Sequence, residues 1–155
     1  MSGAAILREI SADGFDFSTD KSRLDFEAIY DFLAHRSYWA QNIPREIVQR
    51  SIDNALCFGV YEGKKQVGFA RLITDYATFA YLGDVFILED YRGKGLSKKL
   101  AAFITGLPEL QGLRRWHLVT RDAHGVYEPV GFKPVAKPEQ HMEIARPGLY
   151  KAKDK

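Results

Sequence analysis

The order of apolar patterns predicts an α/β (α+β) fold, with a mixed, mostly antiparallel sheet of about six to seven strands and about four helices. Two apolar runs, 56–62 and 66–74, flank Gly63-Lys64, a pattern typical of an antiparallel hairpin. A further strand over 78–88 leads through a glycine-containing loop into an amphipathic helix. A further apolar run, 116–120, follows that helix, so the second half of the chain contains a β-α-β crossover.

The first third of the chain predicts one strand followed by two helices. Short apolar pieces at 6–10 and 15–17, separated by the turn signal Asp13-Gly14, indicate the strand. Apolar residues over 26–33 recur at helical spacing, and Pro44 opens a second helix with its own apolar stripe.

The last half of the chain predicts the remaining elements. One apolar stripe over 96–107 indicates a helix beginning near Gly95, and a shorter stripe over 123–130 indicates another. The run 116–120 predicts a buried strand, and the runs 132–135 and 142–145 predict two closing strands. We expect a single domain over 1–155, with 146–155 as a flexible tail.

The composition argues against several classes of function but does not select a single one. The 22 Lys and Arg residues nearly balance 20 Asp and Glu, so the net charge of +2 favours neither a nucleic acid nor another charged partner. No apolar run approaches the length of a membrane span, and MSGAAILREI is too short in its apolar part for a signal peptide. A single cysteine, Cys57, excludes an internal disulfide, and we expect a cytoplasmic protein.

The loop between the predicted strand 78–88 and the helix beginning near Gly95 is the strongest indication of a binding site. Arg92-Gly93-Lys94-Gly95-Leu96-Ser97 places two glycines and two cations before a helix N-terminus, with Lys98 following. Unpaired N–H groups and the positive end of the helix dipole suit a phosphate or pyrophosphate. The loop is not a Walker sequence, and a dinucleotide fingerprint would need glycine at Lys98.

This loop resembles motif A of the Gcn5-related N-acetyltransferases, the GNAT family, whose pattern is R/Q-x-x-G-x-G/A after a strand. Ser97 departs from it, since the family prefers glycine or alanine there, but serine is small and leaves the backbone amide free. The predicted order of elements is also that of the family, over about 15–145. The resemblance implies acetyl-CoA as co-substrate, bound by residues 92–98, and a primary amine of a small molecule or peptide as acceptor.

A second segment, Val126-Tyr127-Glu128-Pro129-Val130-Gly131-Phe132, is similar to the family's L-Y-E-K-L-G-F segment. The resemblance implies that Tyr127 is the general acid that protonates the leaving thiolate. On its apolar stripe alone Tyr127 is better interpreted as a core aromatic; together with the upstream loop, catalysis is favoured. Pro129 disfavours a regular helix here, and Thr120 replaces the asparagine common in the family.

Similar enzymes often carry an acidic residue at the position of Asp84, which makes it a candidate general base. A partly exposed carboxylate that attracts a cationic substrate is an equally good interpretation, and Glu89, Asp75 and Glu62 are weaker candidates for the base. The resemblance also implies that the backbone of Val85, Phe86 and Ile87 pairs with the pantetheine arm as an added strand would, where two parallel strands splay apart.

The remaining candidates are weaker. Tyr38 and Trp39 lie in the connection that borders the acceptor side in this family, and form either a wall of a substrate pocket or a pair shielding the core. His117, inside an apolar run, is predicted to be a satisfied core histidine. Histidines and Cys57 lack metal-ligand spacing, so no metal site is predicted.

Three hypotheses remain open at this point. The leading one is an acetyl-CoA-dependent N-acetyltransferase; the second is a non-catalytic coenzyme A-binding or sensor module, suggested by Ser97, Thr120 and Pro129. The third, nucleic-acid binding through residues 114–117, rests on a small basic and aromatic cluster in a nearly neutral chain. The sequence leaves the acceptor amine and the possibility of a homodimer open.

Overall fold

The computed structural model describes residues 6–151 and contains a six-stranded sheet in the order β1-β2-β3-β4-β5-β6. The neighbours from β1 to β5 pair antiparallel, and β5 pairs with β6 in parallel. This arrangement confirms the predicted mixed, mostly antiparallel sheet. The strands are β1 (Glu9–Ala12), β2 (Phe15–Ser18), β3 (Leu56–Glu62), β4 (Lys65–Thr74), β5 (Phe79–Ile87) and β6 (Arg115–Leu118).

Four α-helices within the described residues cover the two faces of the sheet. They are α1 (Phe26–Asp31), α2 (Arg45–Asp53), α3 (Leu96–Thr105) and α4 (His124–Tyr127), and α1 runs on into a π-helical turn over Phe32–Arg36. One apolar cluster joins the sheet to α3, with Phe58, Leu100 and Ile104 fully buried. The other joins the sheet to α1 and α2, through Ile29 and Val48. The central strands are therefore buried on both faces, which explains their nearly continuous apolar runs.

Four predicted elements are wrong in detail. The single first strand is a hairpin of β1 and β2, because Asp13 and Gly14 both adopt positive φ and reverse the chain. The run 116–120 forms only a short, half-buried strand. The runs 132–135 and 142–145 form no strand and pair with no strand among residues 6–151, and most of their side chains are exposed.

The feature of the fold that positions the site is the divergence of β5 and β6. Only Phe79–Leu82 of β5 pairs with β6, which ends at Leu118, while β5 continues to Ile87. On that side Gly83 to Ile87 has no strand partner among the described residues. The gap between the two strands opens beside α4 and below the N-terminus of α3.

Within residues 6–151 no helix has both the length and the apolar character needed to cross a membrane.

Candidate functional site

The loop before α3 forms an open concavity. Gly93 and Gly95 have φ of 82° and 76°, and a Cβ added to either would meet nothing within 4 Å. Gly95 is the N-cap of α3 and no side chain caps this end, so the first-turn N–H groups face outward. A cavity of about 300 Å³, here called the cradle cavity, lies at this end of the helix; its walls include Ile87, Arg92, Gly93, Gly95, Leu96, Ser97 and Lys98.

The four cationic side chains of this region, Arg92, Lys94, Lys98 and Lys99, have different surroundings. Lys98 lines the cradle cavity, whereas Lys94, two residues before the helix, does not. The Nε of Arg92 donates a hydrogen bond of 3.0 Å to the carbonyl oxygen of Ile87, which ties the loop to the end of β5. Lys99 forms an ion pair with Asp13 and does not line the cradle cavity. The cradle cavity therefore has Arg92 and Lys98 as its cationic side chains.

A second cavity, here called the central cavity, has a volume of about 360 Å³ and lies where β5 diverges from β6. It brings together five predicted site residues from three distant parts of the chain: Tyr38, Trp39, Asp84, Val85 and Tyr127. Arg71 also lines it. An aromatic wall, a carboxylate and a phenol thus surround one space of small-molecule size.

Asp84 occupies a strained position on β5. Its φ is 54°, and the pairing of β4 with β5 shifts between Phe69 and Arg71, which marks a β-bulge. The Nε of Arg71 donates to Asp84 Oδ2 at 2.8 Å, and the Nε1 of Trp39 donates to Oδ1 at 2.8 Å. The bulge therefore aims a carboxylate into the central cavity, and both of its oxygens already accept one hydrogen bond.

Tyr127 is the last residue of α4, a helix of only four residues. A 3-10 turn over Glu128–Val130 follows, at the point where Pro129 disfavours a regular helix. The side chain of Tyr127 is 8% exposed and packs edge-on against Phe132, with ring centroids 5.9 Å apart. Burial raises the pKa of the Tyr127 phenol to about 12, so the hydroxyl is protonated at neutral pH.

Two arginines in the central cavity region were missed from the sequence. Arg71 forms the ion pair with Asp84, and the guanidinium of Arg121 lies 3.8 Å from the ring centroid of Tyr38. The second contact links the α1–α2 connection to the segment after β6. In the sequence, Arg71 is a single charged residue inside the apolar run of β4. Because a charge in such a run needs a partner, this pattern could have indicated an ion pair.

The other predicted residues have mixed surroundings. On β5, Val85 lines the central cavity and Ile87 the cradle cavity, while the Phe86 side chain is buried and stacks on Phe32. The hydroxyl oxygen of Thr120 accepts a hydrogen bond of 3.0 Å from the backbone N–H of Ala123.

His117 differs from its prediction. It is half-buried rather than in the core, and stacks between Tyr81 and His141 with centroid separations of 5.8 and 6.0 Å, because β6 is an edge strand.

The weaker carboxylate candidates lie outside both cavities. Hydrogen bonds from Thr78 and its neighbours lower the pKa of Asp75, which organises the turn between β4 and β5. Glu89 pairs with Arg36, and Glu62 accepts a hydrogen bond from the Tyr91 hydroxyl.

Burial raises the pKa of the Cys57 thiol to about 11. Residues 6–151 contain no cluster of three or more His, Cys, Asp or Glu side chains suited to a metal ion.

The chain is similar to known acetyltransferases over most of its length. The model of the acetyltransferase (GNAT) family matches residues 26–132. A Gibberella zeae protein provisionally named an acetyltransferase is 32% identical over 127 residues, which cover 68% of this chain and 71% of that one.

Solved structures show the same relationship. A crystal structure of a protein from Xanthomonas campestris pv. campestris, provisionally named an acetyltransferase of the GNAT family, is 51% identical with a TM-score of 0.86, covering 89% of this chain and 97% of that one. A predicted acetyltransferase from Clostridium acetobutylicum, solved with acetyl-CoA, shares the fold at 12% identity and a TM-score of 0.51, over 65% of this chain and 71% of that one. The chain therefore belongs to the acetyltransferase (GNAT) family and is a GNAT-type acyltransferase.

Proposed function

We propose that this enzyme transfers an acetyl group directly from acetyl-CoA to a primary amine of a small molecule or peptide. The observation that carries the proposal is the unpaired stretch of β5. Its Ile87 end lines the cradle cavity and its Val85 end lines the central cavity, so one strand segment joins a phosphate-type site to a site with a phenol and a carboxylate.

The residues of the cradle cavity fit the diphosphate of coenzyme A. The two positive-φ glycines leave the space above the loop open, and α3 directs its first N–H groups toward it. Lys98 adds a full positive charge at the same place. The backbone of Val85–Ile87 is available for strand-like pairing with an extended arm, except that the Ile87 carbonyl already accepts from Arg92. The Clostridium relative was solved with acetyl-CoA, which supports the same ligand here.

When bound, the co-substrate supplies a thioester whose departing thiolate needs a proton. Tyr127 is the group in this chain suited to donate it, since its pKa near 12 keeps the hydroxyl protonated over the physiological range. Its buried position against Phe132 also restricts the ring to few orientations. The contribution expected of such an acid is roughly 10²- to 10⁴-fold in rate.

Asp84 acts on the acceptor amine. A carboxylate has about four lone-pair sites, and two of those on Asp84 are used by Arg71 and Trp39. The remaining sites attract a cationic amine and take up its proton, directly or through water. With Tyr38 and Trp39 as aromatic walls, the central cavity favours a cationic amine with an apolar body over an anionic acceptor.

The test is a screen of an amine library for thiol released from acetyl-CoA, using wild type, Tyr127→Phe and the control Tyr76→Phe. Tyr76 lies in the exposed turn between β4 and β5 and lines neither cavity. We expect wild type and Tyr76→Phe to turn over the same amines, and Tyr127→Phe to lose about 10²-fold or more in turnover.

Two results contradict the proposal. If the folded protein shows no saturable thermal stabilisation by acetyl-CoA, then acetyl-CoA is not its co-substrate. If acetyl-CoA binds but no amine gives thiol release, the protein is a sensor module rather than an enzyme of this substrate class.

A further inference from the structure

A third cavity shares its aromatic wall with the central cavity. It has a volume of about 360 Å³ and is here called the outer cavity; Tyr38, Trp39 and Gln41 form one side and residues 146–151 form the other. Tyr38 and Trp39 also line the central cavity, and their ring centroids are 5.0 Å apart. Tyr38 is 49% exposed and Trp39 is 41% exposed, so a bound molecule can run along the pair from one cavity to the other.

Backbone turns shape the second side of the outer cavity. The N–H of Leu149 donates to the carbonyl oxygen of Arg146 at 3.2 Å, and the N–H of Lys151 donates to that of Gly148 at 3.1 Å. Gly148 has a φ of 72°, a conformation that glycine adopts without steric cost. These turns bring the two cationic side chains of the segment, Arg146 and Lys151, to the same cavity.

The central and outer cavities have opposite charge. The central cavity is lined by two carboxylates, Asp84 and Asp122, and by the guanidinium of Arg71, which is paired with Asp84. The outer cavity is lined by Arg146 and Lys151 and by no carboxylate among the described residues. Within residues 6–151 neither of these two cations takes part in an ion pair. Their N–H groups can therefore serve an anionic ligand.

We propose that the outer cavity is an anion subsite for the acceptor, and that this acceptor is a primary amine joined to a carboxylate by a flexible chain of several bonds. The amine lies beside Asp84, the chain runs along Tyr38 and Trp39, and the carboxylate contacts Arg146 and Lys151. This inference rests on the proposed function, since it names the acceptor class of the same site. A free ω-amino acid and the N-terminus of a short peptide share this chemistry.

The length of the chain is the property that distinguishes this acceptor. The amine and the carboxylate of an α-amino acid are attached to one carbon atom, so they cannot lie on both sides of an aromatic side chain. With its amine in the central cavity, such a molecule holds its carboxylate near Asp84, where like charges repel. A longer chain places the carboxylate beside cations instead. The acid group should therefore favour a long acceptor and not a short one.

The experiment compares amino acids with their neutral amides as acceptors, by the thiol released from acetyl-CoA. The probes are 6-aminohexanoate with 6-aminohexanamide, triglycine with triglycinamide, and the short pair glycine with glycinamide. For wild type we expect kcat/KM to be about tenfold higher for the acid than for the amide in at least one long pair, and not in the short pair. The long pair with the larger ratio identifies the source, a free ω-amino acid or a peptide.

Variants test whether this preference depends on the outer cavity. Arg146→Gln and Lys151→Gln should each lower the acid-to-amide ratio of the preferred pair, and the double variant should bring the ratio near one. The control Arg50→Gln removes the same charge from an exposed arginine of α2 that lines none of the three cavities, and should keep the wild-type ratio. The ratio compares two acceptors on the same protein, so a loss of folded protein cancels from it.

A binding measurement separates the subsite from the catalytic proposal. Trp39 lines both cavities, and Trp116→Phe leaves it as the sole tryptophan, so its fluorescence reports an acceptor that binds without acetyl-CoA. We expect the preferred long acid to bind about tenfold more tightly than its amide, and Arg146→Gln to reduce that difference.

Two results overturn the anion subsite. One is equal values for the acids and amides of both long pairs, in turnover or, where no amine is acetylated, in binding. The other is an acid preference that Arg50→Gln lowers as much as Arg146→Gln does, since this would reflect the net charge of the protein alone. If binding shows the preference but no amine releases thiol, the proposed function fails and the subsite stands.

Discussion

The cradle cavity and the central cavity differ in how the chain builds them. The cradle cavity comes largely from six residues of the segment 92–98, all except Lys94, with Ile87 at the end of β5. The central cavity draws Trp39, Arg71, Asp84 and Tyr127 from four separate segments. The first depends on backbone conformation and a helix end; the second depends on how strands, a bulge and a short helix pack together.

This difference determines what each region tolerates. In the cradle cavity the proposed binding groups are mostly backbone N–H groups, so a side-chain departure such as Ser97 leaves them in place. In the central cavity the proposed functional groups are side chains, and Asp84 is held in place by Arg71 and Trp39. Substitutions there should therefore affect stability and turnover together, whereas those in the cradle cavity should affect binding with little change in stability.

The largest effect is expected from breaking the ion pair of the central cavity. Arg71→Met leaves the Asp84 carboxylate, whose side chain is 12% exposed, without its charged partner. We expect a loss of about 3 kcal/mol in the free energy of unfolding, measured by urea denaturation, together with loss of turnover. The double variant Arg71→Met/Asp84→Asn removes the unpaired charge and should recover much of the stability but not the activity. Additive losses in the double-mutant cycle would show that the pair contributes nothing.

A second comparison separates two lysines of the same loop. Lys98→Glu reverses a charge on the wall of the cradle cavity, whereas Lys94→Glu makes the same change outside it. We expect the acetyl-CoA dissociation constant, measured by calorimetry, to rise by about tenfold for Lys98→Glu and clearly less for Lys94→Glu. Unfolding free energies should stay near that of wild type. Equal effects of the two variants would mean that only the net charge of the loop matters.

A smaller effect is expected from the backbone of the loop itself. Gly95→Ala places a side chain at φ of 76°, whereas Gly112→Ala adds a methyl group at ordinary φ, with open space around both. The first should lower the free energy of unfolding by about 1 kcal/mol and the second should change it little. Chemical denaturation of both variants gives the comparison. If the two glycines respond alike, the left-handed conformation of Gly95 is not a constraint.

The effect that is smallest at neutral pH concerns stability at alkaline pH. Burial raises the pKa of Tyr127 from its ordinary value of 10.0 to about 12, so the folded state holds this proton more tightly than the unfolded state. The resulting stabilisation is complete below pH 10 and is lost as the pH rises through 12. Tyr127→Phe should leave the pH dependence unchanged at neutral pH and make the decline between pH 10 and 12 shallower. An unchanged alkaline decline, measured by thermal unfolding against pH, contradicts the shift.

The predictions that failed share a physical cause. The runs 132–135 and 142–145 have apolar residues at strand spacing, but a strand also needs an edge to pair with, and local pattern carries no information about that. His117 was expected in the core because its neighbours Trp116 and Leu118 are apolar, yet β6 is an edge strand with one open face. In contrast, β3, β4 and α3 were placed within a residue or two, because long periodic runs bounded by Gly63-Lys64 or Gly95 leave few alternatives.

The sequence by itself determined the order of the main strands and helices, the loop at 92–98 with its helix N-terminus, and the resemblance that singled out Asp84 and Tyr127. These features are local: a glycine's freedom, a helical stripe and a short motif are complete within a few residues. Only the tertiary structure decided that Arg71 holds Asp84, that Trp39 and Tyr127 face one cavity, and that β5 runs on past the end of β6. Those facts depend on which distant segments pack together, and packing is settled by the whole core rather than by any one segment.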